Sequence, residues 1–91
     1  MLEQEIKLAL RIAHNYLDDE ITKNIGVARA EMVRSGILPS KANATDDELI
    51  NKAITTYCLK EMSEQKVAEG FEKSWFYQLD CLRKSAGYSA E

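Results

Sequence analysis

A chain of 91 residues, 45% apolar and 30% charged, is ordinary globular material for one domain, 1–91, with no room for a separate catalytic unit. Its 15 acidic and 12 basic residues are interspersed to a net charge of −3, and no basic block is long enough to neutralise a run of phosphates, which argues against sequence-independent nucleic-acid binding. No apolar run approaches the ~20 residues of a membrane span, and the opening Met1-Leu2-Glu3-Gln4-Glu5 is not a secretion signal, so residence in the cytoplasm where it is made is expected.

Alternating β-branched runs are missing, and the hydrophobic pattern is helical throughout. The spacing predicts a first, short helix over about 3–13, with Leu2, Ile6, Ala9, Leu10 and Ala13 on one face. A second helix, capped by Asn15 or Asp18, runs to about Ser35 on the stripe Leu17, Ile21, Ile25, Ala28 and Met32. Gly36, Ile37 and Pro39 make its stop signal, Ile37 being an apolar residue that folds back.

Residues 36–44 read as a loop, long for a helix connection and therefore a candidate for contacts. Thr45-Asp46-Asp47-Glu48 reads as a capping box, with Thr45 at the N-cap of a third helix whose stripe is Leu49, Ile50, Ala53, Ile54 and Tyr57. That helix ends near Met62 or Ser63. A fourth covers about 65–86 with Phe71, Trp75, Leu79, Leu82 and Ala86 inward, Gly70 marking its start or a kink and Gly87 its end. The expected fold is an all-α bundle of about four helices, a short first and three longer, in which helices three and four pack on helix two. Ile25, Met32, Ala53, Tyr57, Phe71, Trp75 and Leu79 are expected to be largely buried.

The residue types needed for catalysis are sparse. The single histidine, His14, supplies no triad, and the cysteines Cys58 and Cys81 lack CxxC spacing and read as buried reduced thiols. Asp18-Asp19 and Asp46-Asp47-Glu48 stand where a helix N-terminus favours negative charge, so capping explains them without a metal. Gly26, Gly36, Gly70 and Gly87 are isolated and form no phosphate loop. The expectation is a protein that is not an enzyme and holds no cofactor or metal.

More informative is Ser74-Trp75-Phe76-Tyr77, because successive helical residues turn by ~100° and three adjacent aromatics cannot share a face. With Trp75 inward, Phe76 falls on its flank and Tyr77 among Lys73, Asp80 and Lys84. Val27 likewise falls on the side of helix two shared with Lys23, Ala30 and Arg34. Scattered exposed apolar residues are normal on any protein. Exposed aromatics are also typical anchors of subunit interfaces, so the candidate interface comprises Val27, Arg34, Ile37, Leu38, Lys41, Asn43, Phe76, Tyr77 and Tyr88.

Several segments together resemble the small head-tail connector proteins of tailed bacteriophages, the adaptors that form a ring beneath the portal. They are Leu8-Ala9-Leu10-Arg11-Ile12 in the first helix, Leu17-Asp18-Asp19-Glu20-Ile21 entering a second that contains Gly26-Val27-Ala28-Arg29, and Leu49-Ile50-Asn51-Lys52-Ala53-Ile54-Thr55-Thr56-Tyr57-Cys58. A last helix rich in aromatic and leucine positions, Phe71 to Leu82, ends near Tyr88. The likeness covers most of the chain and is clearest in Ala53-Ile54-x-x-Tyr57-Cys58. It implies a phage or prophage structural protein that forms a homo-oligomeric ring and contacts the portal and tail-side connector proteins. DNA would pass only as cargo, no membrane would be involved, and the location would be the virion, with the host cytoplasm before assembly. The rival readings are a small helical interaction or regulatory module and, less favoured by the acid at the start of helix three, a DNA-binding protein.

Overall fold

A computed structural model of the chain describes residues 2–10, 18–62 and 65–89. Five helices follow one another: α1 (Leu2–Leu10), α2 (Asp18–Arg34), α3 (Pro39–Ala42), α4 (Glu48–Met62) and α5 (Gln65–Lys84). The all-α architecture agrees with the sequence pattern, and the additional helix is the single turn α3 inside what reads as a loop. Ala13, His14, Asn15, Leu17 and Ser63 lie outside the described residues.

The centre of the fold is α4, not the second helix. It touches α1, α2 and α5, and its pairing with α5 is the most extensive in the molecule. A helix with neighbours on several sides must be apolar around much of its circumference. Accordingly α4 buries Ile50, Ala53, Ile54, Thr56, Tyr57 and Cys58, a wider arc than one stripe. Thr56 is admitted because its hydroxyl donates to the Lys52 carbonyl at 3.1 Å. From α1 comes Ile6, from α2 Ile21, Ile25, Ala28 and Met32, and from α5 Trp75, Leu79 and Leu82. Each fully buried large aliphatic side chain contributes roughly 1.5–3 kcal/mol.

The pair α4 and α5 runs antiparallel. Tyr57 meets Trp75 midway, ring centroids 4.9 Å apart at 62°, an edge-to-face contact of the kind aromatic quadrupoles favour. Of the inward positions expected from sequence, Phe71 is only half-buried, and Ala9, Leu49 and Ala86 are exposed. Ala86 is exposed because α5 stops at Lys84 and the chain turns away through Gly87 at φ 93°.

The end of α2 shows why Ile37 is no surface residue. Gly36 takes φ 102°, the Ile37 amide donates to the Met32 carbonyl at 3.1 Å and the Gly36 amide to that of Val33 at 3.1 Å. This is the Schellman arrangement, which returns the residue after the glycine onto the helix. Ile37 is thereby fully buried with Met32. The cap of α4 also differs from expectation. Asp47 Oδ1 accepts from the amides of Leu49 at 3.0 Å and Ile50 at 3.2 Å, so Asp47 is the N-cap residue, two places beyond Thr45. Thr45 is exposed, and its carbonyl accepts from Asn51 Nδ2 at 3.2 Å.

Candidate interaction surfaces

The candidate interface residues divide into three groups. Ile37 belongs to the core and is removed from the surface. Leu38, Lys41, Asn43 and Tyr88 gather at one corner, where the C-terminal segment crosses the α2–α4 connection. Val27, Arg34, Phe76 and Tyr77 stand exposed on helix flanks.

The corner is bound to itself. The Leu38 amide donates to the Tyr88 carbonyl at 2.7 Å, and an isolated antiparallel bridge joins Ile37 to Ser89. The Tyr88 hydroxyl donates to Asp47 Oδ2 at 2.8 Å, and Lys41 Nζ lies 5.4 Å from the centre of the Tyr88 ring. Asn43 Nδ2 donates to the Pro39 carbonyl at 2.8 Å, closing α3 on itself. Beneath, Arg29 Nη1 donates to the carbonyls of Ala42 at 2.7 Å and Ala44 at 2.9 Å, supplying partners where α3 leaves its last carbonyls open. Asp47 therefore uses one oxygen to cap α4 and the other to hold the C-terminal segment. Burial opposes its charge, but the Tyr88 hydroxyl, the Ile50 and Leu49 amides and nearby Lys41 outweigh it and hold the carboxyl below its ordinary value. The same hydrogen bond raises the Tyr88 hydroxyl above its ordinary value.

The flanks of α5 are different. Phe76 is 57% exposed and Tyr77 71% exposed; about 100° apart around the helix, they border two different recesses. On one side Phe76, Trp75 and Leu79 line a shallow recess with Glu31, Arg34 and Ser35 of the α2 end. Arg34 Nε is 3.8 Å from Glu31 Oε2, and Val27 lies 37% exposed farther back along α2. On the other side a groove of about 490 Å³ opens between α4 and α5, lined by Leu49, Lys52, Lys73, Tyr77, Cys81 and Leu82, among others. Among the described residues two lysines and no acidic residue line it. Gln78 also borders it, and the Gln78 Oε1 atom is buried with no hydrogen-bond partner among the described residues. Asp80, lying toward Phe76, is paired with Arg83 at 2.6 Å and Lys84 at 2.9 Å. Its carboxyl is held below the ordinary value by those partners.

The two cysteines have different surroundings. Cys58 is fully buried, and desolvation, aided by the Glu61 charge, pushes its thiol up to about 12, which leaves it inert at neutral pH. Cys81, expected to be buried, is exposed on the groove. A hydrogen bond between Tyr77 and Cys81 raises the Tyr77 hydroxyl above its ordinary value. Sequence reasoning missed Leu49 and Cys81 as surface residues because both sit at the edge of a helical stripe. It missed Leu8, 78% exposed, although Leu8 lies two residues beyond inward-facing Ile6 and hence ~200° around the helix.

Among the described residues no group of three or more His, Cys, Asp or Glu is placed to hold a metal ion, and no helix is long and apolar enough to cross a membrane. No protein-family model, no curated protein sequence and no solved structure matches the chain.

Proposed function

We propose that the protein is a structural subunit that self-associates into a ring, and that the ring is a phage head-tail connector bridging portal and tail. The observation that carries the first step is the pair of unlike apolar surfaces on two different flanks of α5, one bordered by Phe76 and one by Tyr77. A ring needs heterologous contacts, in which each subunit offers two different patches that close by rotation. Exposed aromatic side chains beside a groove suit such patches. The second step rests on the sequence resemblance. A net charge of −3 favours a channel wall that passing DNA does not stick to. The subunit's work is then geometric, carried out in the virion after folding in the host cytoplasm, and requires no cofactor.

Native mass spectrometry over a concentration series, with and without a portal ring, tests this. The expected result is a closed oligomer of one defined subunit number, formed alone at high concentration or on the portal. A protein that stays monomeric to millimolar concentration and does not bind the portal removes the proposal. A shift of duplex DNA at physiological salt, with a steep salt slope, replaces it with the nucleic-acid reading.

A further inference from the structure

The outward face of α1 and the α4–α5 groove are the most exposed apolar features on separate parts of the molecule, and their chemistry is complementary. In α1, Ile6 is fully buried against the core while Gln4, Glu5 and Leu8 face away from it, and Leu8 is the most exposed large apolar side chain described. The helix thus has an inward stripe already satisfied and an outward edge of Gln4, Glu5 and Leu8 that no other described residue covers.

The groove is the matching concavity. Its apolar floor and walls are Leu49, Tyr77 and Leu82, and its rim carries Lys52 and Lys73 without an acidic side chain. In a chain of net charge −3 that is a local excess of positive charge. From Lys73 to Ser85 the groove follows α5 for ~18 Å, and the nine residues of α1 make a helix of about 14 Å, so the one fits along the other.

From this charge and length match we infer that the groove between α4 and α5 receives α1 of a second copy of the chain, with Leu8 seated between Leu49 and Tyr77 and Glu5 paired with Lys52 or Lys73. This rests on the self-association proposed above and seats the α1 edge of one subunit on the Tyr77 side of α5 in the next, leaving the Phe76 flank outside this contact. Because the patches differ, each subunit keeps one α1 edge and one groove free after a single contact, which permits propagation to a closed ring. Cys81 lies in the groove, so the contact carries its own reporter.

The test uses the full-length chain with Leu8→Cys, oxidised mildly with copper-phenanthroline and read on a non-reducing gel. The expected result is a ladder of linked multimers joined between positions 8 and 81, abolished by adding Cys81→Ser. Lys52→Glu with Lys73→Glu, both at exposed positions, should weaken association by at least about tenfold, and Glu5→Lys should restore it in part. A loss from misfolding would not be rescued by a charge swap. If the wild-type protein associates by sedimentation but no 8–81 link forms, the inference falls and self-association stands. If linkage stops at reciprocal dimers, the α1–groove contact stands and the ring falls. If a peptide of residues 1–12 binds no better than an unrelated acidic amphipathic peptide, the groove serves another partner and the second-copy assignment is overturned. If the peptide does not bind and every variant is monomeric, both fall.

Discussion

At the corner where the C-terminal segment crosses the α2–α4 connection, Arg29, Lys41, Asp47 and Tyr88 are engaged with carbonyls, a carboxylate or an aromatic ring of the same chain. Along α5, by contrast, Phe76 and Tyr77 stand more than half exposed, beside recesses that the other described residues do not fill. Both regions look equally available in the sequence, one as a long loop and the other as aromatics in excess. The difference is in what each would lose on exposure. Backbone groups of a non-helical connection need partners, and the chain supplies them locally, whereas an apolar side chain on a helix flank loses little by facing water. Long connections are therefore poor indicators of an interface until their hydrogen bonds have been traced.

The largest expected effect tests the frame of this comparison. Trp75 is 3% exposed and packs edge-on against Tyr57, so it fixes which side of α5 faces inward. Trp75→Ala should cost roughly 3–5 kcal/mol in a urea melt, a large share of the stability of a domain this size. Wild-type stability in that variant would mean that α5 is rotated and that Phe76 and Tyr77 are not its outer flanks.

Next comes the corner. Arg29→Ala leaves the carbonyls of Ala42 and Ala44 without their guanidinium partner and should cost about 1–3 kcal/mol. Arg29→Lys should recover only part of this, since both bonds come from one guanidinium nitrogen and the shorter, more strongly hydrated ammonium has to reach the same point. Equal stability of all three proteins would show that the connection does not depend on Arg29, and would restore it as a candidate contact region.

What the sequence made legible follows from how local each signal is. The stripes of α2 and α5 were readable because one face of each helix meets the core, and Ile21, Ile25, Ala28 and Met32 recur at helical spacing. Gly36 was readable as a stop because a left-handed residue at the end of a helix is a local requirement. The N-cap was ambiguous because Thr45 and Asp47 both precede the same apolar run. In the structure Asp47 Oδ1 takes the Leu49 and Ile50 amides while Tyr88, 41 residues away, donates to Oδ2, and no window on the sequence contains that second hold. Single-turn α3 is too short to have a period. Of the surfaces, the crowded aromatics gave away Phe76 and Tyr77, but the groove did not show, since it is a property of two helices together.

Asp47 gives a smaller effect with a pH signature. Asp47→Ala loses the cap of the central helix and should cost about 1–2 kcal/mol, while Thr45→Ala should stay within about 0.5 kcal/mol of wild type. Asp47→Asn keeps a capping oxygen and isolates the charge. Because the folded carboxyl titrates below its ordinary 3.8, its contribution is present above that value and is lost as pH falls through the folded one. The stability gap between wild type and Asp47→Asn should therefore be constant near neutrality and close in acid. Tyr88 titrates above its ordinary 10.0, so its share is present below 10.0 and lost as pH rises through the folded value. A gap independent of pH would mean that the charge on Asp47 strengthens neither of its two contacts.

The smallest expected effect on stability is at the open flanks, and its smallness is the point. Phe76 and Tyr77 at 57% and 71% exposure have little packing to forfeit, so replacing both with serine should leave helical content intact and shift the urea midpoint by less than the equivalent of about 1 kcal/mol. The same double variant should lose association, because an anchor that sits in water in the free subunit contributes mainly once a partner covers it. Stability and association must separate here, whereas at the corner Arg29→Ala should lower stability with association following only as far as the fold is lost. If the serine variant melts early, α5 packs its outer flanks after all and the contrast between the two regions collapses. If it is as stable and as oligomeric as wild type, the flanks are ordinary exposed surface and the contacts lie elsewhere.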